Sequence, residues 1–165
     1  MKTSSLRGAI YLTGLIGLLV SLFAAAEFYT ASLRSVCSIN QFLSCGKVDT
    51  SGYTSTLGIP DYLWGVGGFI VLLIVAGLAE RSPRDVRPAF LLALLATGAV
   101  ALSAYFIYVQ LAVIHAVCVV CVTAETFGGL LWVASIALAV RTARKASSGA
   151  PANRKQGPTE TKDVT

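Results

Sequence analysis

The stretch PAFLLALLATGAVALSAYFIYVQLAVIHAVCVVCVTAETFGGLLWVASIALAV, residues 88–140, is apolar along almost its whole length. Its main polar interruptions are Gln110, His115 and Glu125. As a single helix it would be more than about 75 Å long at a rise of 1.5 Å per residue. The hydrocarbon core of a bilayer is only about 30 Å thick, so the chain must turn back, and we expect the turn around residues 114–116. The stretch therefore predicts two successive membrane spans.

Two further apolar stretches lie closer to the N-terminus, which brings the candidate spans to about residues 9–26, 62–79, 88–112 and 116–140. Each is close to the roughly 20 residues that a helix needs to cross a bilayer. We therefore predict an all-α membrane protein: a four-transmembrane-helix bundle over residues 1–140, with an outward loop between helices 1 and 2. An alternative for the first stretch is a cleaved secretory signal, because Lys2 and Arg7 precede it and three alanines end it. Cleavage would leave three spans.

The composition of the chain supports a membrane location. Hydrophobic residues make up 55% of the 165 residues and charged residues only 13%, about half the charged share of a soluble domain. A soluble enzyme with a mean hydropathy of +0.73 would have too few polar residues to cover its surface. The net charge of +5 would indicate nucleic acid only if the basic residues gathered on one soluble face, but they lie between apolar runs. We therefore expect a membrane partner and no nucleic acid.

The distribution of lysine and arginine predicts the orientation of the spans. Two basic residues, Arg34 and Lys47, lie on one side of the predicted bundle. Those on the other side are Lys2, Arg7, Arg81, Arg84, Arg87, Arg141, Arg144, Lys145, Arg154, Lys155 and Lys162. By the positive-inside rule both termini are cytoplasmic, and the loop Glu27–Asp61 faces the periplasm or the cell exterior across a plasma or inner membrane. Residues 141–165, rich in Ser, Gly, Pro and charge, are predicted to be a disordered cytoplasmic tail.

The four cysteines are all predicted on the outward side, where thiols meet an oxidising environment. Cys37 and Cys45 lie in the outward loop, and Cys118 and Cys121 form a C-x-x-C at the start of the fourth span. Backbone N–H groups at a helix N-terminus favour a thiolate, so such a pair can open and close a disulfide repeatedly. Cys121 should lie about 4.5 Å deeper than Cys118. The Cys118 sulfur would then face the loop, and the Cys121 sulfur would face whatever lies within the membrane.

Three other arrangements are compatible with these cysteines. Two permanent disulfides could tie the loop to the bundle, the four thiols could close a zinc site, or the thiols could be unpaired core residues. Structural zinc usually uses two close pairs, whereas seven residues separate Cys37 from Cys45. A C-x-x-C at the membrane face is poorly explained by structure alone, which favours redox chemistry and no metal.

Several motifs accompany the four spans: C-x7-C after the first span, Leu57-Gly58-Ile59-Pro60, Trp64-Gly65, the tyrosines Tyr105 and Tyr108, and C-x-x-C at the fourth span. Taken together, the spans and these motifs resemble the vitamin K epoxide reductase family, in its prokaryotic single-domain form. The resemblance covers about residues 6–140. It implies a four-helix bundle that holds a quinone, such as menaquinone or ubiquinone, near its outward face. Epoxide reduction belongs to the animal members, and nothing in this sequence indicates it.

The resemblance also implies the roles of the cysteines. Cys37 would exchange with a thioredoxin-like partner, Cys45 would exchange with Cys118, and Cys121 would face the quinone. Electrons would pass from the thiols of an exported protein, through the partner and the two pairs, to the lipid quinone. The chain ends about 25 residues after the fourth span, so we expect the partner to be a separate protein.

Three further residues are candidates for contact with the quinone. Where animal members have an Asn and a Tyr that are thought to hydrogen-bond the quinone carbonyls, this chain has Asp61 and Glu125. Trp64 lies where it could belong both to the interfacial aromatic belt and to the quinone site. Asp61 also fits a helix N-cap, and Glu125 could instead be satisfied by hydroxyl groups of Thr97, Ser103 or Thr123.

Two classes of protein therefore compete at this point. The first is an enzyme, a quinone-dependent thiol oxidoreductase of the membrane. The second is a non-catalytic four-span membrane subunit with two structural disulfides. Reversible loss of labelled thiols when quinone is supplied would separate the two.

Overall fold

The computed structural model describes residues 3–53, 55–56, 58–82 and 85–148. Four helices in this part of the chain are long and apolar enough to span a membrane. They are α1 (Thr3–Tyr29), α4 (Asp61–Arg81), α5 (Arg87–Tyr108) and α6 (Val119–Ser148). Two short helices, α2 (Ala31–Val36) and α3 (Cys45–Asp49), lie in the long connection between α1 and α4. The predicted four-helix membrane bundle is confirmed.

The four long helices run alternately up and down. A hydrogen bond joins Tyr29, at the end of α1, to Tyr62, at the start of α4 (2.8 Å between hydroxyl oxygens). At the opposite ends of the same helices, the Tyr11 hydroxyl donates to the Glu80 carboxylate (3.0 Å). Helix α6 packs against both α1 and α5. We call the end with residues 29, 61, 114 and 119 the cysteine end, and the other the opposite end.

The core at the opposite end consists of apolar side chains from all four long helices. Leu92 and Leu131 are fully buried there. Helix α1 comes close to α4 at Gly17, where an added Cβ would collide with the ring of Phe69. A residue without a side chain lets the two helices approach, as small residues do in membrane bundles. The cluster consists of Ile10, Phe69, Leu72, Val75, Ala76, Ala89, Leu92, Ala96, Leu131, Ala134 and Leu138.

Helix α6 is longer than the sequence predicted. It continues to Ser148, so residues 141–148, expected to belong to a disordered tail, are helical, and residues 149–165 lie outside the described residues. The extension contains alanines, arginines and a lysine, which are strong helix formers. Lys145 lies in the last turn, where a positive charge suits the helix dipole. The hydroxyl groups of Ser147 and Ser148 donate to the Arg144 carbonyl (2.9 and 3.0 Å).

The chain reverses direction after the third span where the sequence predicted. Helix α5 continues as a π-helix, Val109–Ile114, and His115 then adopts a left-handed conformation with φ of 54°. The backbone carbonyl of Gln110 accepts hydrogen bonds from the N–H groups of His115 and Ala116, the second at 3.1 Å. Single π-turns of this kind are frequent at functional sites. The reversal brings Cys118 to the start of α6.

The loop between α1 and α4 folds back onto this reversal. Leu43 pairs with Val117 in a parallel bridge. Val117 N–H donates to the Phe42 carbonyl (2.7 Å), and Ser44 N–H donates to the Val117 carbonyl (3.1 Å). Further along, strands β1 (Ser55–Thr56) and β2 (Ile59–Pro60) form a small antiparallel hairpin before α4. Leu57, the first residue of the predicted motif, lies outside the described residues.

Candidate active site

Cys118 lies directly before the first residue of α6 and caps that helix with its sulfur. Its carbonyl accepts a hydrogen bond from Val122 N–H (3.0 Å), and its Sγ accepts one from Cys121 N–H (3.2 Å). The two sulfur atoms of the C-x-x-C lie 2.6 Å apart. The two sulfurs are therefore close enough to form a disulfide, and the Cys121 N–H is aimed at Cys118 Sγ.

Gln110 holds the backbone of Cys118 in place. Its side-chain Oε1 accepts a hydrogen bond from Cys118 N–H at 2.8 Å, and the residue is only 3% exposed. In the sequence Gln110 was no more than a polar interruption in an apolar run. A buried polar residue in a span, eight positions before the first cysteine of a C-x-x-C, was the signal that could have identified it.

The loop cysteines form a disulfide beside the C-x-x-C. Cys37 and Cys45 are bonded, with their Cα atoms 5.7 Å apart, whereas Cys118 and Cys121 carry free thiols. Cys45 and Cys118 belong to one buried cluster, against which Cys37 and Cys121 also pack. Pairing of residues 42–44 with Val117 produces this contact. The structure thus brings all four candidate cysteines together.

A cavity opens beside the C-x-x-C, between the four long helices. It holds about 880 Å³ of space, including its open mouth. Five of the seven candidate residues line it, namely Asp61, Trp64, Cys118, Cys121 and Glu125. Most of the other lining residues are apolar or small; they include Ala24, Gly65, Gly68, Phe69, Leu72, Ala99, Leu102, Phe106, Ala124 and Gly128.

Comparison with protein families now adds an independent finding: residues 9–140 match the vitamin K epoxide reductase family. The chain belongs to this family. Vitamin K epoxide reductase family members are membrane oxidoreductases that use quinones and work with thioredoxin-like partners. The family predicted from the sequence is therefore confirmed. A search among curated proteins finds no match to the chain.

Asp61 and Glu125, the two carboxyls expected to contact the quinone, both line the cavity. Asp61 is the first residue of α4, and its Oδ1 accepts from the neighbouring Tyr62 N–H (2.7 Å). The N-cap position belongs to Pro60, so the capping interpretation of Asp61 was off by one residue. Glu125 Oε2 is buried and has no hydrogen-bond partner among the described residues. The hydroxyls of Thr97 and Thr123, offered above as its partners, donate instead to backbone carbonyls (2.8 and 2.7 Å).

Two residues of the cavity wall were missed in the sequence. Ser21 and Glu27, both on α1, are 2% and 1% exposed and line the cavity. Ser21 Oγ, like Glu125 Oε2, has no hydrogen-bond partner in the described part of the chain. A quinone has an apolar ring and two carbonyl acceptors, so a largely apolar cavity with unsatisfied polar atoms from α1 and α6 fits it.

A carboxyl group lies beside the loop disulfide, where the sequence left a zinc site as an alternative. One carboxyl oxygen of Glu27 and the sulfurs of Cys37 and Cys45 all lie within 4.8 Å of one another. Both sulfurs are bonded to each other, however, and a structural zinc site takes four ligands. In this vitamin K epoxide reductase family site, the bonded loop sulfurs lie beside the C-x-x-C, an arrangement compatible with thiol–disulfide exchange.

Proposed function

We propose that the protein passes electrons from a thioredoxin-like partner, through Cys37–Cys45 and then Cys118–Cys121, to a lipid quinone. The net result would be a disulfide in an exported protein. The observation that carries this proposal is the packing of the two cysteine pairs against each other, with the second pair opening into a cavity that fits a quinone.

The first transfer takes place at the loop. A thiolate of the partner attacks one sulfur of the Cys37–Cys45 disulfide, a mixed disulfide forms, and the second partner thiol releases it. Cys37 is half-buried whereas Cys45 is fully buried. This difference supports Cys37 as the sulfur that the partner attacks. The partner leaves with a disulfide, and the loop keeps two thiols.

The second transfer takes place between the pairs. Cys45 attacks Cys118 of an oxidised C-x-x-C, the bond between Cys118 and Cys121 breaks, and Cys37 then closes on Cys45. The burial of Cys45 and Cys118 in one cluster supports this pairing. The loop returns to its disulfide, and the C-x-x-C now holds the two electrons and two protons.

The last transfer takes place at the cavity. A quinone, when bound, accepts two electrons and two protons. Cys121, which lies one turn into α6 and lines the cavity, would face it, and the Cys118–Cys121 disulfide would form again. Asp61, Trp64 and Glu125 would hold and orient the ring. Menaquinone and ubiquinone both have the two carbonyl groups that this arrangement addresses.

We further propose that the cysteine end faces the periplasm or the cell exterior and that both termini are cytoplasmic. The support is the positive-inside rule applied to eleven basic residues on one side and two on the other. An impermeant maleimide should then label Cys37 or Cys45 in intact cells after mild reduction. Labelling that requires permeabilised cells would reverse the orientation.

The test of the function is a coupled assay with purified protein in lipid nanodiscs. A reduced thioredoxin-like protein and a water-dispersible quinone are supplied, and loss of partner thiols is followed together with quinone reduction. We expect one quinone reduced for each partner disulfide formed. Cys118→Ser should show no quinone reduction and no turnover beyond the single partner that its loop disulfide can oxidise. Partner oxidation without quinone reduction would refute the proposal.

The second candidate remains a non-catalytic subunit with two structural disulfides. One pair is bonded in the structure and the other carries free thiols. Thiol labelling before and after mild reduction, and again after addition of quinone, separates the candidates. The enzyme should lose its labelled thiols when quinone is supplied, whereas a structural protein should not respond.

A further inference from the structure

A buried carboxyl from the first span lies beside the loop disulfide. Glu27 belongs to the last turn of α1 and is 1% exposed. One of its carboxyl oxygens lies within 4.8 Å of the sulfurs of both Cys37 and Cys45. A side-chain rotation or one bridging water would bring it into hydrogen-bond contact with either sulfur. A carboxyl this close to both sulfurs is placed to exchange a proton with either of them.

Thiol exchange leaves a thiolate on Cys45 in a buried site, and a proton can neutralise that charge until Cys45 attacks Cys118. When a thiolate attacks Cys37, the bond to Cys45 breaks and its electron pair stays on Cys45 Sγ. Cys45 must be a thiolate again before it attacks Cys118. Bulk water does not reach this sulfur, because Cys45 is 0% exposed. A neighbouring acidic group of the protein can therefore supply this proton and take it back.

We propose that Glu27 is the proton donor and acceptor for Cys45, a role that rests on the proposed function of the loop pair. When the Cys37–Cys45 bond breaks, the Glu27 carboxyl gives its proton to the Cys45 thiolate and becomes a carboxylate. When Cys45 attacks Cys118, the Glu27 carboxylate takes that proton back, and the electron pair of the broken Cys118–Cys121 bond moves to Cys121. Glu27 ends the cycle unchanged, so protons and electrons balance.

The position of Glu27 suits both half-reactions. Its side chain lies beside the sulfurs of the loop pair and lines the cavity that Cys118 and Cys121 also line. Asp49, Asp61 and Glu125 line the same cavity. Of these four carboxyls, that of Glu27 is the one grouped with the sulfurs of Cys37 and Cys45 within 4.8 Å in the described part of the chain. This distance places Glu27 to serve Cys45.

The experiment measures reduction of the loop disulfide alone. The full chain carrying Cys118→Ala and Cys121→Ala is mixed with dithiothreitol, quenched with acid and labelled with maleimide, and the rate of thiol appearance is read by mass. General acid–base catalysis by a positioned side chain typically contributes about 10²- to 10⁴-fold. We expect Glu27→Gln to slow reduction about 100-fold and Glu27→Asp to be intermediate. Added acetate should restore the rate of Glu27→Ala, because it occupies the vacated space as a carboxyl.

The matched control is Glu80→Gln, the same change on a carboxyl of α4 that hydrogen-bonds Tyr11 at the opposite end. It should leave the rate unchanged. A wild-type rate for Glu27→Gln would overturn the proposal, and so would a slow Glu27→Ala variant that acetate does not rescue, since that pattern indicates a purely structural carboxyl. The assay contains no quinone and no protein partner, so failure of the coupled assay above would be a separate result.

Discussion

The cysteine end and the opposite end of the bundle are filled by different kinds of residue. At the opposite end, apolar side chains from all four helices pack into one cluster around Leu92 and Leu131. At the cysteine end, Ser21, Glu27 and Gln110 are buried polar residues beside the thiols and the cavity. Burying polar groups without full hydrogen bonding costs free energy. The bundle therefore keeps its stability at one end and its chemistry at the other.

This division implies that variants at the two ends should fail in different ways. Loss of packing at the opposite end should lower the melting temperature and spare turnover. Loss of a polar group at the cysteine end should alter one step of electron transfer by more than its effect on stability explains. Each prediction below compares a change at the cysteine end with a change away from the site.

The largest effect is expected for Cys121→Ser. Quinone reduction should stop, because serine cannot form the Cys118–Cys121 disulfide through which electrons reach the quinone. The Cys118 thiolate should instead attack Cys45 of the loop disulfide and release Cys37 as a thiol, which traps a Cys45–Cys118 disulfide. Leu131→Ala, the control, should lose about 1–3 kcal/mol of stability from the cavity it leaves, with turnover within a factor of about two of wild type. The measurements are the coupled assay, the melting temperature and the mass of cysteine-linked peptides. Trapping of Cys37 with Cys118 would reverse the roles proposed for the loop pair.

The next effect is expected for Gln110→Leu. It removes the acceptor of Cys118 N–H and leaves a buried donor unsatisfied, which costs about 1–3 kcal/mol. Cys118 should then no longer be aligned for exchange with Cys45. We therefore expect kcat to fall about 10- to 100-fold while KM for quinone stays near wild type. Gln110→Glu keeps an acceptor oxygen and should recover part of the rate.

The control for Gln110 is Thr97→Val, which removes the acceptor of the Trp132 indole N–H (2.9 Å) away from the cavity. Its kcat should not change. Equal losses of kcat in the two variants would mean that Gln110 only stabilises the bundle. A rise in KM for quinone in Gln110→Leu would place the residue in the quinone site instead.

The sequence predicted the helices but not the polar residues that turn inward. Span length, hydropathy and basic charges are properties of the chain itself, so the four helices, the reversal at His115 and the position of the C-x-x-C followed from them. A helix in lipid is apolar on its outer face as well as its inner face. Periodicity therefore carries little information about direction, and Ser21, Glu27 and Gln110 were not recognised as inward-facing.

Long-range contacts were beyond the sequence for a related reason. The docking of residues 42–44 on Val117 uses backbone hydrogen bonds, which any residue but proline can make. Contact between the loop and the C-x-x-C was therefore available only through the family resemblance. The helical state of residues 141–148 was missed because local composition was weighed over helix propensity.

A smaller effect is expected for Glu125, one helical turn below Cys121. Glu125→Gln keeps a hydrogen-bond donor but loses the exchangeable acid, so quinone binding should persist with slower turnover. Glu125→Ala loses both, and we expect a loss of about 1–3 kcal/mol in quinone affinity. Glu80→Gln at the opposite end should change neither quantity. Wild-type affinity and rate for Glu125→Ala would show that Glu125 is no part of the quinone site.

The smallest effect, and the sharpest test of how the two ends differ, is expected for Ser21→Ala. Ser21 Oγ is buried at the cavity without a hydrogen-bond partner in the described part of the chain, so without quinone its removal should leave the melting temperature unchanged or slightly higher. With quinone bound, the lost hydrogen bond should weaken affinity by about 0.5–1.5 kcal/mol, roughly 2- to 10-fold. The control is Ser135→Ala at the opposite end, whose hydroxyl donates to the Leu131 carbonyl (2.8 Å); it should not alter quinone affinity. Thermal shift against quinone concentration measures both quantities. If Ser21→Ala and Ser135→Ala have the same quinone affinity, the Ser21 hydroxyl does not bind the quinone. The functional polar groups of the cysteine end would then be Glu27 and the thiols, without Ser21.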